Sequence, residues 1–289
     1  MSSLDVTRAK QPVPRREEAA HSSDLSILRV PQWSAEAWLV HGFSTRAGGV
    51  SEIAGSSRPG DLNLGFTNRD TSEAVLLNRE RFLSSLVSTG SGRETCGGIV
   101  TLKQMHSALV RRVGRAEIAE RASLWGDGLV TNEPGVLLGI QTADCLPILI
   151  ADRQRRVVGA FHAGWRGTLK GIVERGVSAM GREFGSFPED LIAAIGPGIG
   201  RCCFAVGREV RDLFRARYAY SDELFSGGPT LALDLVEANR RQLLTAGLSP
   251  GDVFALDACT SCRTDEFFSY RAERGKTGRM MAVIGVAQS

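Results

Sequence analysis

The hydrophobic pattern is densest between residues 126 and 166, GDGLVTNEPGVLLGIQTADCLPILIADRQRRVVGAFHAGWR. Three apolar runs stand out there, residues 136–140, 146–150 and 157–161, each of the length of a buried strand. At their ends sit residues that an apolar core does not need: Asp127, Asp144, Cys145, His162, Trp165 and Arg166. Cys145 leads directly into the second run, and His162 ends the third. If these two runs pair, a thiol and an imidazole reach one edge of a sheet.

Elsewhere short apolar runs alternate with helical spacing. Residues 38–51, WLVHGFSTRAGGVS, predict a short strand running into a turn that holds Arg46 and Gly48-Gly49. Thr71 or Ser72 is placed to cap a helix over 73–86, with Val75, Leu76, Arg79, Phe82 and Leu83 at helical spacing. After a Gly-rich break at 88–98, GIVTLKQMHSALVRRV reads as strand, polar insertion and strand, with Gln104 and His106 in the insertion. Residues 165–184 predict one helix, whose apolar face carries Thr168, Leu169, Ile172, Val173, Val177 and Met180. LIAAIGPGIG is a strand entering a Gly-Pro loop; helices are expected over 208–218 and 231–246, and strands over 253–259 and at the C-terminal end. The first 24 residues are polar without apolar periodicity and read as a disordered leader. With neither an internal repeat nor a linker beyond them, residues 25–289 are expected to form a single-domain α/β protein with mixed sheets.

Composition narrows the function. The net charge of +3 comes from scattered Arg rather than a basic block, so nucleic acid is not expected as a partner, whereas a small anion such as phosphate suits the surplus. No run approaches the ~20 apolar residues of a membrane span. Six cysteines are too sparse for a disulfide scaffold, and no signal-peptide pattern is present. A reducing cytoplasm is therefore expected, where thiolates are available to bind metal or to attack.

Only four histidines are present. His21 lies in the leader and His41 in a strand, which leaves His106 and His162 as imidazoles for chemistry. With Cys145 they form a borderline ligand set that suits zinc, and three protein ligands leave a fourth tetrahedral position open. Two other readings stay open on spacing alone: Cys145 as a nucleophile with His162 as its base, or Cys145 as a small buried hydrophobe. Asp144 at a strand junction needs a donor or a cation, because burying a lone carboxylate is costly. Arg166, within HAGWRG at the start of the following helix, is a candidate anion contact; Arg46 beside glycines is either another or simply an Arg on a hairpin loop. Cys202 and Cys203 are adjacent and would face opposite ways on an extended chain. Cys259 and Cys262 form a single C-x-x-C without a second pair nearby in sequence, and read as structural or as a redox or metal candidate.

Taken together, HGFSTRAGGVS, LKQMHS, GDGLVTNEPGVLLGIQTADCLPILIAD, HAGWRGT, IGPGIGRCCFAVG and FFSYRAERGKTGR resemble the YfiH-type family of purine nucleoside phosphorylases, also labelled laccase-domain proteins or polyphenol oxidases. The resemblance spans nearly all of 38–287, with TADC followed by HAGWRG its most specific part. It implies a zinc triad of His106, Cys145 and His162, and an α/β sandwich related to the cytotoxic-necrotizing-factor toxin domain. It also implies phosphorolysis of adenosine, inosine, guanosine and methylthioadenosine to free base and pentose 1-phosphate, with adenosine deamination as a second activity. In that scheme Arg46 and Arg271 share the phosphate charge, and Asp127 or Asp144 serves the leaving purine. QMHS departs from the usual QVHG, and Ala205 stands where the CYEVG pattern has an acid. Two rival functions are a metal-independent Cys–His amide hydrolase and an editing factor for cell-wall precursors. The oxidase label fails on composition: four coppers would need roughly ten His and Cys ligands, so copper is at most an alternative occupant of the zinc site.

Overall fold

The computed structural model describes residues 25–53, 60–87, 97–227 and 231–288. The expected leader, and most of the Gly-rich break after residue 87, lie outside the described residues. A five-stranded sheet runs in the order Ile27–Leu28, Leu39–Ser44, Met280–Val286, Val136–Thr142, Gly98–Thr101. A six-stranded sheet runs Val253–Ala255, Leu191–Ile195, Leu146–Asp152, Val157–Ala163, Gly128–Thr131, Val110–Arg112. Both sheets mix parallel and antiparallel pairs, which makes this a mixed α/β fold.

The period of two along the central strands explains the layering. Leu138, Ile140, Ala282 and Ile284 of the first sheet meet Leu149, Ala151, Val158 and Ala160 of the second in one core between them. The alternate residues Ile148, Ile150 and Phe161 face outward under helices Ile172–Phe184 and Leu235–Thr245. Leu137, Met281 and Val283 likewise pack under Phe82 and Leu86 of helix Ser72–Val87. Strands apolar on both faces need a cover on each side, and the result is helix, sheet, sheet, helix.

The three central runs are strands, each two residues longer than the apolar run, ending at Thr142, Asp152 and Ala163. Backbone pairing carries the ladder past the last apolar side chain, and the polar residues at these ends belong to the sheet edge. The single helix expected over 165–184 is instead two, Trp165–Leu169 and Ile172–Phe184. Gly171 between them has φ 74°, a left-handed conformation that breaks the helical path. Gly176 costs about 1 kcal/mol of helix propensity against Ala, yet a Cβ there would lie 2.4 Å from the Phe161 ring. The glycine admits the largest side chain under that helix. The helix expected over 231–246 begins only at Leu235, where the Asp234 side chain caps the Glu237 N–H; Leu231–Leu233 before it is a strand. Residues 38–51 form two strands, Leu39–Ser44 and Ala47–Ser51, turning at Thr45-Arg46 rather than at the glycines. Gly49 lies within the second strand because a Cβ there would strike the Asp61 carbonyl. No helix among the described residues is long and apolar enough to cross a membrane.

His41 is a packed core residue. Its Nε2 accepts the Val30 N–H at 3.0 Å, and its ring meets Trp33 edge-on at 4.9 Å. Burial, with Arg29 nearby, pushes the imidazole down to about 4. Between pH 6.5 and 4 the unfolded chain therefore binds the proton that the folded one refuses, so stability falls as pH falls through this window. From pH 7 to pH 5 this amounts to about 2 kcal/mol. Denaturant unfolding at the two pH values should show the loss in the native sequence and a smaller one in His41→Gln; equal losses would exclude His41 as the source.

Candidate metal centre

Cys145 lies where the chain leaves one sheet for the other. Val136–Thr142 belongs to the five-stranded sheet and Leu146–Asp152 to the six-stranded one, so residues 143–145 form the corner. Asp144 turns that corner with φ 87°, a conformation few non-glycine residues adopt and one often found at functional sites. Leu146–Asp152 then pairs antiparallel with Val157–Ala163, Leu146 opposite Ala163 and Pro147 opposite His162. Thiol and imidazole thus reach the same edge.

His106 arrives from a third direction. It sits in the loop after Gly98–Thr101, also left-handed at φ 58°. The ligand atoms of His106, Cys145 and His162 lie within 4.8 Å of one another. The His106 and His162 rings stand edge to face, 4.9 Å between centroids, and Cys145 Sγ is 3.9 Å from His106 Nε2. Two imidazoles and a thiol converging from three elements are a donor set suited to one tetrahedral ion with an open position.

Asp127 holds this arrangement. Gly128 pairs with Phe161 in the antiparallel ladder, which sets Asp127 beside His162; its carbonyl takes the His162 N–H at 2.7 Å. Its fully buried carboxylate faces His162 Nδ1 at 2.8 Å and accepts the backbone N–H groups of Met105, His106 and Ser107 and the Ser107 hydroxyl. One side chain therefore fixes the ring of His162 and the backbone of His106. With Nδ1–H donating to Asp127, His162 presents Nε2 to Cys145, the usual carboxylate–histidine–metal geometry. Burial would raise the Asp127 carboxyl, but donors from His162 and Ser107 hold it well below the usual carboxylate range. Burial would also push the Cys145 thiol up, yet His162 and His106 bring it down to about 6. Burial lowers the His162 imidazole, but Cys145 and Asp127 outweigh this and raise it to about 9. The site is built to keep the sulfur ionised at neutral pH.

Gly164 completes the cradle. A Cβ there would lie 2.8 Å from Cys145 Sγ and 3.1 Å from His106 Cδ2, while its φ of −74° suits any residue. Gly164→Ala should therefore fold normally but bind metal about 10–100-fold more weakly, read by competition with a chromogenic chelator. Unchanged metal affinity would show that the ligands can spread.

The remaining sequence candidates fall into two groups. Asp144 is near the triad, but its oxygens are occupied: Oδ1 by the hydroxyls of Thr260 and Ser269, Oδ2 by the Arg271 N–H. It ties the corner to the loop carrying FFSYR. Arg46 differs from its expected role as an open anion contact. Its Nε and Nη2 clamp Asp61 at 2.9 Å, and Nη1 reaches Glu273 and the Thr264 carbonyl. A buried cation so engaged braces the FFSYR loop. Arg166 is exposed and stacks on Trp165; Arg271 is exposed, lies over Phe204 and donates to the Ala205 carbonyl.

Two neighbours escaped residue-level reading. Arg279 is partly buried near enough to Cys145 and Asp144 to feel their charge, and its own ionisation is lowered by that burial. Gln104 exchanges two hydrogen bonds with the backbone of Gln141, tying the His106 loop to the strand that leads to Cys145. Both stand inside quoted motifs, GKTGR and LKQMHS, but neither residue type advertises such a role.

The profile of the family described as multi-copper polyphenol oxidoreductase laccase matches residues 40–287. The purine nucleoside phosphorylase of Deinococcus radiodurans is 40% identical over 263 residues, 91% of this chain and 93% of that protein. The Escherichia coli purine nucleoside phosphorylase YfiH is 35% identical over 266 residues, 90% of this chain and 99% of that one. The crystal structure of YlmD from Geobacillus stearothermophilus superposes with a TM-score of 0.82 at 35% identity, covering 96% of this chain and all of that one. The chain therefore belongs to the family described as multi-copper polyphenol oxidoreductase laccase, together with the purine nucleoside phosphorylases of the YfiH and YlmD type.

Proposed function

We propose that this protein is a zinc-dependent purine nucleoside phosphorylase, carried by residues 25–289 as one unit, that converts adenosine, inosine, guanosine and methylthioadenosine with phosphate to free base and pentose 1-phosphate. The observation that carries this reading is the convergence of His106, Cys145 and His162 within 4.8 Å, with His162 fixed by Asp127. The names of the relatives supply the reaction class. Zinc suits the two-imidazole, one-thiolate donor set better than copper acting as an oxidase, and when bound would supply Lewis acidity to an anionic oxygen.

The chain's own residues divide the remaining work. In phosphorolysis the bond from C1′ of the sugar to the purine nitrogen breaks, an oxygen of hydrogen phosphate bonds to C1′, and the base leaves with the proton that hydrogen phosphate gives up. Arg279 is a partly buried cation that feels the charge of Cys145 and Asp144, and the exposed Arg271 and Arg166 stand ready to draw phosphate in. Exposed Tyr270, beside Arg279, and Met105, next to His106, offer apolar surface for the flat purine. Asp127 and Asp144 act as positioning groups, because donors already fill their oxygens; neither is assigned as the acid. Adenosine deamination is assigned to the same site as a second activity.

The test is metal analysis of the purified protein together with an assay of inosine plus phosphate. Zinc at the triad and phosphate-dependent release of hypoxanthine are expected; zinc-free protein of full activity would overturn the reading. A second reading is favoured by Cys145 lying beside the two imidazoles, which bring its thiol down: a metal-independent amide hydrolase, on a fold related to the cytotoxic-necrotizing-factor domain. It requires amide hydrolysis that survives chelation and is blocked by iodoacetamide at Cys145.

A further inference from the structure

Four of the other five cysteines also come together, Cys96 lying outside the described residues, and the phosphorylase reading does not use them. Cys202, Cys203, Cys259 and Cys262 place their sulfurs within 4.8 Å of one another. The expectation that Cys202 and Cys203 face opposite ways holds only for an extended chain. Here residues 201–203 form a tight turn, closed by the N–H groups of Cys203 and Phe204 on the Gly200 carbonyl. Both sulfurs thereby face Cys262, at 3.5 and 3.3 Å.

The sheet explains why two loops so distant in sequence meet. Strands Leu191–Ile195 and Val253–Ala255 are parallel neighbours, Ala193 opposite Val253 and Ile195 opposite Ala255. Parallel strands release their chains at the same end of a sheet, so the Gly-Pro loop with Cys202-Cys203 and the C-x-x-C loop leave side by side. A bridge between Gly198 and Cys259, and the hydrogen bonds Gly198 N–H to Ala258 O and Thr260 N–H to Gly198 O, lock them together. The missing second pair for the C-x-x-C is thus supplied by the fold.

We propose that these four cysteines form a second metal site, binding one zinc ion as a structural tetrathiolate. The sulfur separations of 3.3–3.5 Å are far beyond the ~2.05 Å of a disulfide. They approach the ~3.8 Å edge of a tetrahedron with zinc–sulfur bonds of ~2.3 Å. A set enclosed within 4.8 Å fits one ion and is too tight for the outer ligands of a multi-iron cluster. Gly200 is shaped to the group: its N–H donates to Cys259 Sγ at 3.2 Å, and a Cβ would crowd Cys202 Sγ at 3.3 Å. Binding is a simple exchange: zinc takes four sulfurs, four thiol protons go to water, and nothing is oxidised or reduced. The resulting charge of minus two lies beside Arg201 and Arg263, the chain neighbours of Cys202 and Cys262.

The site has a consequence for the triad. Thr260, inside the C-x-x-C, donates to Asp144, and the Ile199 N–H donates to the Asp144 carbonyl. Zinc at the four cysteines would clamp both loops that hold the residue before Cys145, so it positions the catalytic corner without touching substrate.

The experiment is zinc content per chain in the native protein and two double variants, with protein purified under reducing conditions. The native protein should carry two equivalents. His106→Ala with Cys145→Ser should keep one, and Cys259→Ser with Cys262→Ser should lose one. Cobalt added to the metal-free His106→Ala, Cys145→Ser protein should give the thiolate charge-transfer bands and intense visible bands of a tetrahedral four-sulfur site. This arm stands even if the cysteine variant fails to fold. Absence of metal and of the cobalt spectrum in that variant would overturn the proposal, as would a Cys202–Cys262 or Cys203–Cys262 disulfide in the fresh protein. A native protein with one zinc, retained without the triad and lost without Cys259 and Cys262, would sustain this site and remove the zinc reading of the triad instead.

Discussion

Cys145→Ala should abolish phosphate-dependent cleavage of inosine, lowering kcat/KM by about a thousandfold or more, and should lose the triad's zinc in the same step. The magnitude follows from metal-ion catalysis worth several kcal/mol in the transition state, at a factor of ten for each 1.36 kcal/mol. The fold should survive, because Cys145 is only partly buried at a corner and the strand after it is held by pairs on both sides. His106→Ala is the companion experiment: its ring is exposed, so removing it leaves no cavity, yet it takes away a ligand. Activity and zinc should fall together in both proteins. Full turnover by metal-free Cys145→Ala would falsify the phosphorylase assignment at this site.

Asp127→Asn tests the positioning argument and should be the more damaging change to the protein as a whole. The native carboxylate accepts from His162 Nδ1, three backbone N–H groups and a hydroxyl. An amide replaces one acceptor oxygen with an NH2 that faces those donors, in a place without exposure to water. Leaving buried donors unmatched costs about 1–3 kcal/mol each, and losing a paired buried charge about 3–5. Stability should therefore fall by about 3 kcal/mol and zinc affinity by 10–100-fold, measured by denaturant unfolding and chelator competition. A merely structural Asp127 would lower stability alone; wild-type zinc affinity in the folded variant would reduce it to that role.

Much of the central fold was legible in the residues. The three runs around 136–161 are strands because apolar side chains on both faces can be buried only between covering layers, and that signal is local. Helix ends were less legible. Gly171 ended one helix and opened another, and Asp234 began a helix that apolar spacing had placed earlier. In both cases a single residue's backbone or side chain outweighed the periodic pattern around it.

The candidate site divides along the same line. Cys145 and His162 could be paired from the sequence because neighbouring strands carry them, and an antiparallel ladder sets their register. His106 could not be added by spacing, since its place depends on Asp127, 21 residues away, gathering its loop. The resemblance supplied it before the geometry did. The partners of Arg46 were hidden for the complementary reason: Asp61 and Glu273 are brought to it by separate loops. The clearest case is the four cysteines, two pairs about sixty residues apart that the parallel strands bring together.

What the sequence determined by itself was the layered α/β core and the two residues on its central edge. Only the tertiary structure decided which histidines and cysteines meet in each cluster. Apolar periodicity is set by bonds along the chain, whereas a ligand set is a meeting in space that no single segment encodes.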